Sequence, residues 1–215
     1  MKATLHYIFD PLCGWCYGAE PLAQAASEVP ELTLALHAGG LWPEPTVLPD
    51  ETRQYISQAD QRLAQISGQP LGEKYRTQLL FDPDLVLDSE PTTKAVLAAE
   101  RLIGAGLAML SAIQRAHYID GRHVVREDVL IELAAELGIE AGTFVAAWNE
   151  ADAGTHIAES RRLMAQVGAR GFPTFVLEVA GRLYPVDHNR FQRNAAGFAS
   201  SLAEAVAEKD ESAAG

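Results

Sequence analysis

Residues 10–18 read DPLCGWCYG and hold both cysteines of the chain, Cys13 and Cys16, with Gly14 and Trp15 between them. The flanking patterns decide what the pair means. Before it, Ala3 to Phe9 is a short apolar run rich in β-formers, ended by the turn pair Asp10-Pro11. After it, Gly14 to about Val29 is alanine-rich, with Leu22, Ala25, Ala26 and Val29 at helical spacing, and Pro30 stops the run. Leu32 to Ala38 is then apolar on both faces, as expected of a buried parallel strand. The opening is predicted as β-α-β, with the cysteines where the first strand meets the first helix. A right-handed crossover makes the two strands parallel neighbours.

Working outward, Gly39 to Asp50 (GGLWPEPTVLPD) is rich in glycine and proline and reads as a linker. About a hundred mainly helical residues follow. Glu51 to Ser67 forms one amphipathic helix. Thr92 to Tyr118 has helical spacing but is interrupted by Gly104 and Gly106. Each glycine costs about 1 kcal/mol against alanine in a helix interior, so two helices with a break are expected. Further helices are predicted over Arg126 to Leu137 (Gly138 as C-cap), Ala141 to Asn149 and Gly154 to Val167. Pro173 to Val179 reads as a strand, Ala180-Gly181 as a tight turn, and Arg182 to Val186 as the returning arm. Helix resumes from about Asn189 to Ala207, and the polar end from Glu208 is expected to fray. The predicted fold is α/β, in the order β-α-β, helical block, α-β-β-α. It divides into a discontinuous sheet domain (1–48 and 154–208), a helical insertion (49–153) and a tail (209–215).

Composition narrows the function. The chain of 215 residues is 48% apolar and 21% charged, enough to bury a substantial core. A net charge of −12 argues against a grip on nucleic acid or an anionic membrane. No run approaches the ~18 apolar residues of a membrane span. The N-terminus lacks the long apolar region and small-residue cleavage site of a signal peptide, so the cytoplasm is the expected compartment. Static disulfides are rare there.

Three readings of the cysteine pair compete. Zinc needs about four ligands, and the histidines (His6, His37, His117, His123, His156, His188) are scattered without ligand spacing, so no metal is expected. A structural bridge would close a tiny loop and constrain little of the unfolded chain. A redox couple has a physical cause behind it. At the first turn of a helix, Cys13 meets unpaired N–H groups and the positive end of the macrodipole, and both favour thiolate. Cys16, one turn on, can attack a mixed disulfide and release the partner. Cys13 is therefore the expected nucleophile and Cys16 the resolving thiol. Farther along, GFPTF (171–175) places Pro173 at the opening of a strand, where a residue without an N–H belongs.

Four stretches together carry a resemblance: FDPLCGWCYG (9–18), GG (39–40), YIDGRHV (118–124) and GARGFPTFVLE (168–178). From Leu5 to about Ala207 the chain resembles the DsbA-like branch of the thioredoxin superfamily. It looks most like intracellular members described as protein-disulfide isomerases, related to glutathione-dependent 2-hydroxychromene-2-carboxylate isomerases and kappa-class glutathione transferases. The resemblance implies a thioredoxin-like fold with a helical insertion and a cis Phe172–Pro173 bond packed against Cys13. It also implies that the backbone of Phe172 hydrogen-bonds an extended substrate peptide.

The chain departs from its relatives at the central dipeptide. Gly14-Trp15 stands where DsbA carries Pro-His and thioredoxin Gly-Pro, and these two residues tune thiolate stability. Tryptophan cannot supply the charge that histidine can, so a weaker oxidant than DsbA is expected. Trp15 either offers an apolar face to substrate or packs on the insertion. The glutathione-dependent members of the resembled group typically carry serine where Cys13 stands, so two cysteines favour thiol exchange here. Glutathione remains open as a co-substrate, and no tightly bound cofactor is expected. Asp10 and Glu20 flank the pair. Either could carry a proton for Cys16, or Asp10 is turn chemistry and Glu20 an exposed helix face. His37 and His188 read as ordinary histidines, Trp42 and Trp148 as packing residues. The expected function is a thiol–disulfide oxidoreductase or isomerase acting on protein or peptide thiols. The alternatives are a glutathione-dependent isomerase or transferase, and a non-catalytic peptide-binding module.

Overall fold

A computed structural model describes the backbone of residues 3–214 and the side chains as far as residue 209. In chain order the elements are β1 (Ala3–Phe9), α1 (Gly14–Ser27), β2 (Leu32–Ala38), β3 (Thr46–Val47), α2 (Asp50–Ser67), α3 (Glu73–Thr77), β4 (Val86–Leu87) and α4 (Ser89–Ile103). They continue with α5 (Gly106–Tyr118), α6 (Glu127–Glu136), α7 (Ala141–Glu150), α8 (Ala153–Gln166), β5 (Thr174–Val179), β6 (Arg182–Val186) and α9 (Ala195–Ala214).

The main sheet has the order β2-β1-β5-β6, with β1 and β2 parallel and β5 antiparallel to both β1 and β6. Leu5, Tyr7 and Phe9 of β1 and Phe175 and Leu177 of β5 face α1 and α9 in the main core. The alternate residues Ile8 and Val176 meet Met164 of α8 on the other face. The period-2 alternation of a strand thus feeds two cores, one on each side. Helices cover both faces, which is why β1 reads apolar almost throughout.

Register places the functional end. Phe9 pairs with Ala38, and Ile8 with Thr174, so three chain segments leave the same end of the sheet together. These are Asp10–Cys13, Gly39–Gly40 and Phe172–Pro173.

The helices α2 to α7 form the block inserted between β2 and β5. Its irregular stretches are stitched by a buried cation. Arg53 donates to the carbonyls of Leu48 at 2.9 Å, and of Leu80 and Asp82 at 2.7 Å each, which satisfies charge that burial would otherwise penalise. Pro21 lies inside α1 and has no N–H for the carbonyl of Tyr17; the side chain of Gln69 donates to that carbonyl instead, at 3.4 Å. A residue of the segment between α2 and α3 therefore repairs α1.

Several boundaries differ from the sequence reading, each for a local reason. The expected linker Gly39–Asp50 contains β3, which pairs with β4 in a separate two-stranded ribbon. Two residues are too few for a periodic signal. The break between Thr92 and Tyr118 falls as predicted, with Gly104 capping α4. Residues His188–Phe191 form a separate 3-10 turn, and the last helix begins at Ala195 rather than Asn189. That helix runs to Ala214, past the point at which fraying was expected.

Candidate active site

Cys13 is the N-cap of α1, in an extended backbone conformation (φ −93°, ψ 116°), and its side chain makes no capping bond. Its carbonyl accepts from the N–H groups of Cys16 and Tyr17, each at 3.0 Å, which starts the helix. The sulfur is thereby left at the positive end of the helix with no structural duty. It lies 3.9 Å from the carbonyl oxygen of Phe172. The Phe172–Pro173 bond is cis. Both cysteines are thiols, Cys13 6% exposed and Cys16 fully buried.

Cys16 lies one turn further into the protein. Burial pushes its thiol well above the ordinary range, and the neighbouring Cys13 sulfur pushes the same way. The backbone N–H of Asp10 points at its sulfur from 3.4 Å. The hydroxyl of Tyr7 donates to its carbonyl at 3.2 Å. The arrangement is asymmetric: one sulfur at the surface opening, the other held beneath as a thiol.

Three groups hold this geometry. Asp10 is fully buried, and its carboxylate accepts from the N–H of Leu12 at 2.9 Å and of Leu41 at 2.7 Å. Burial raises its pKa, opposed by the hydrogen bonds from Ser89, Leu41 and Leu12. Its carboxylate ties the β1–α1 turn to the segment after β2, while its N–H meets Cys16. Arg161 of α8 donates to the carbonyls of Gly39 at 2.5 Å and Gly40 at 2.8 Å. The same guanidinium lies over the ring of Phe172, 4.9 Å from its centroid. Gly39 completes the contact: a Cβ there would stand 2.2 Å from that ring, so only glycine lets Phe172 settle with its carbonyl toward Cys13.

Other residues singled out in the sequence fall elsewhere. Glu20 is neither an exposed helix face nor at the sulfurs; its carboxylate accepts from Ser111 at 2.7 Å and Gln24 at 3.0 Å, between α1 and α5. His37 belongs to a histidine cluster with His6, 2.9 Å away, and His156. Burial, then those two neighbours, lowers it to about 4. His188 packs 5.4 Å from the ring of Phe175. Trp148 donates to the carbonyl of Pro91 at 2.9 Å, a packing role.

Beside Cys13 opens a cavity of about 290 Å³ between the start of α1 and the insertion. Trp15, 42% exposed, stands at its mouth, which places the ring at the opening rather than buried against the insertion. Trp42 lines the same cavity. So does Asp60 of α2, which the sequence reading did not single out. The residue is 7% exposed, and its carboxylate accepts from the hydroxyl of Tyr75 at 2.5 Å. Burial raises its pKa to about 6, against the lowering effect of that hydrogen bond. A Cβ at Gly14 would stand 2.5 Å from its Oδ1, so the first position between the cysteines must be small.

A thiol at a helix N-terminus, a second buried one turn on, and a cis-proline loop facing the first describe a dithiol site on a thioredoxin-like sheet. The sequence matches the DSBA-like thioredoxin domain over residues 4–193, and the chain belongs to that family of disulfide oxidoreductases. Among solved structures it is similar to the cytosolic disulfide reductase DsbM from Pseudomonas aeruginosa, with 49% identity over 93% of this chain and 96% of that one, at a TM-score of 0.85. The same reductase solved with GSH matches at 48% identity over the same shares, with a TM-score of 0.84. A Nitrosomonas europaea protein described as a candidate disulfide isomerase matches at 25% identity over 95% of this chain and 98% of that one, with a TM-score of 0.79. A search of the curated proteins finds no match.

Proposed function

We propose that this protein is a cytoplasmic thiol–disulfide reductase that acts on peptide or protein disulfides and is recycled by glutathione. The observation that carries the reading is the asymmetry of the pair: Cys13 faces the carbonyl of Phe172 at the opening while Cys16 is sealed beneath it. Cys13 thiolate attacks one sulfur of the substrate; a Cys13–substrate bond forms, the substrate S–S bond breaks, and the released sulfur takes up a proton. Cys16 then loses its proton and attacks Cys13, freeing the second substrate thiol and leaving the enzyme as a disulfide. Two molecules of glutathione return it to the dithiol and leave as glutathione disulfide. Isomerisation needs only the first step, after which a different substrate thiolate attacks the mixed disulfide, forms the new substrate bridge and releases Cys13 as thiolate.

The substrate's extended backbone pairs with that of Phe172 beside Pro173, and Trp15 covers an apolar neighbour of the reacting sulfur. The reducing direction is favoured by what surrounds the pair. Trp15 adds no positive charge to stabilise a thiolate, and the carboxylate of Asp60 stands against the first turn of α1. A less stabilised thiolate makes the dithiol form a better reductant. The similarity to a reductase described as cytosolic, one form of it solved with GSH, supports the same direction, compartment and recycling thiol.

Insulin reduction with glutathione as sole reductant tests this proposal. Catalytic amounts of the protein are expected to accelerate loss of the insulin disulfides over glutathione alone. A rate equal to that of glutathione alone would overturn the reading.

A further inference from the structure

The cavity beside Cys13 has a composition that the exchange chemistry does not require. Trp15 and Tyr55, 42% and 71% exposed, stand at its mouth. Trp42, Tyr75 and Tyr118 line it with them, the two tyrosines only 2% exposed. Asp60 is its carboxylate, and among the described residues no lysine or arginine lines it. Tyr75 takes Oδ2 of that carboxylate, and among the described residues no donor holds Oδ1, which lies against Gly14. Aromatic faces attract cations through their quadrupoles, and a largely buried carboxylate with one oxygen free of donors does so more strongly. The net charge of −12 adds a general pull in the same direction.

We propose that this cavity is the subsite for one arm of the disulfide substrate and that it selects an arm carrying an alkylammonium group. The proposal rests on the thiol–disulfide reading above and adds the substrate class to it. The ammonium sits against Oδ1 of Asp60 under the aromatic rim, and the linked sulfur meets Cys13 beside Gly14. The overall step is balanced without a further reactant: the dithiol gives two electrons and its two protons to the substrate disulfide, which leaves as two aminothiols, and Cys13 and Cys16 form a bridge. An α-ammonium on a short peptide such as glutathione and the ammonium of a simple aminothiol share this chemistry.

The test is single-turnover oxidation of the reduced protein by four disulfides of graded charge. These are cystamine, bis(2-hydroxyethyl) disulfide, 3,3′-dithiodipropionate and glutathione disulfide, each rate divided by that with a free small thiolate. The corrected order is expected to run cystamine, then the neutral disulfide, then the dianion. Asp60→Asn is expected to lower the cystamine-to-dithiodipropionate ratio about tenfold, the scale of one charge-assisted contact. A parallel loss toward glutathione disulfide assigns the peptide ammonium to the same site; a loss toward cystamine alone restricts the site to short aminothiols.

Tyr55→Leu, at an exposed position, keeps the apolar area and removes the ring. It is expected to lower the same ratio about two- to fivefold. The wild-type ratio should also fall as pH drops through about 6, where Asp60 takes up its proton. The other titratable groups facing the cavity are Cys13 of α1, Tyr55 of α2, Tyr75 of α3, and His117 and Tyr118 of α5. Changes in Cys13 cancel in the ratio. His117 is lowered by burial to about 4, and burial raises Tyr75 and Tyr118 well above the ordinary range. A ratio within twofold of wild type in folded Asp60→Asn, or a flat wild-type pH profile, would overturn the proposal. If Asp60→Asn does not fold, an unchanged ratio in Tyr55→Leu does the same. Failure to react with any of the four, the neutral one included, would instead count against the thiol–disulfide reading.

Discussion

Replacing Cys13 by serine is expected to reduce disulfide exchange at least about a thousandfold, with little change in folding stability. The oxygen fits where the sulfur stood and the N-cap backbone is unaltered, since the side chain makes no capping bond. What is lost is the nucleophile. A serine hydroxyl at this helix terminus stays protonated at neutral pH, and the second thiol cannot take over because Cys16 is fully buried. Insulin reduction measures the loss, and a urea titration checks that the fold is intact. Retention of more than a tenth of wild-type turnover would contradict the assigned roles. A non-catalytic peptide-binding module predicts no exchange even in wild type, with peptide binding unaffected by the substitution.

The second large effect is a change in the product. Cys16→Ser keeps the attacking sulfur and its opening, so the first exchange with glutathione disulfide proceeds. The mixed disulfide on Cys13 then has no internal thiol to displace it. It is expected to accumulate to near stoichiometry, visible by intact mass as one glutathionyl adduct mapped to Cys13. Wild type under the same treatment shows an internal bridge and no lasting adduct. Turnover that depends on two-thiol cycling falls at least about a hundredfold, because resolution becomes bimolecular. Unimpaired turnover in Cys16→Ser would favour glutathione-dependent isomerase or transferase chemistry, in which the pair is not cycled.

How much of this was legible in the sequence follows the range of the interactions. The strand–CxxC–helix junction is local: Ala3 to Phe9, Asp10-Pro11 and the alanine-rich run after Cys16 each carry their own signal. The hairpin from Pro173 to Val186 is equally local, with Ala180-Gly181 marking its turn. Phe172 and Pro173 were tied to Cys13 through the family resemblance, since nothing within GFPTF alone points to a partner 159 residues away.

The supporting contacts were not legible because they join distant segments. Asp60 lies in an amphipathic helix at a position whose residue type suggests solvent. Its burial comes from α2 lying over the start of α1, where it also explains Gly14. Arg161 likewise reads as a surface arginine of a helix. Only the fold brings it to Gly39, Gly40 and the ring of Phe172. Glu20 was judged by its nearness to Cys16 in sequence. It lies one turn further along α1, and its carboxylate is taken up by Ser111 of α5 instead. Sequence proximity to a cysteine is a poor guide to proximity to its sulfur.

The central claim is that Cys13 and Cys16 form a reversible couple poised to donate electrons. Redox equilibration of the pair, followed by thiol trapping, tests it most directly, with dithiothreitol buffers extending the range below that of glutathione. The account predicts a single two-electron transition between dithiol and bridge, with a potential below about −200 mV and toward the ~−270 mV of thioredoxin. A potential near ~−120 mV would mark a disulfide donor, and a pair that never forms the bridge would remove the redox couple altogether.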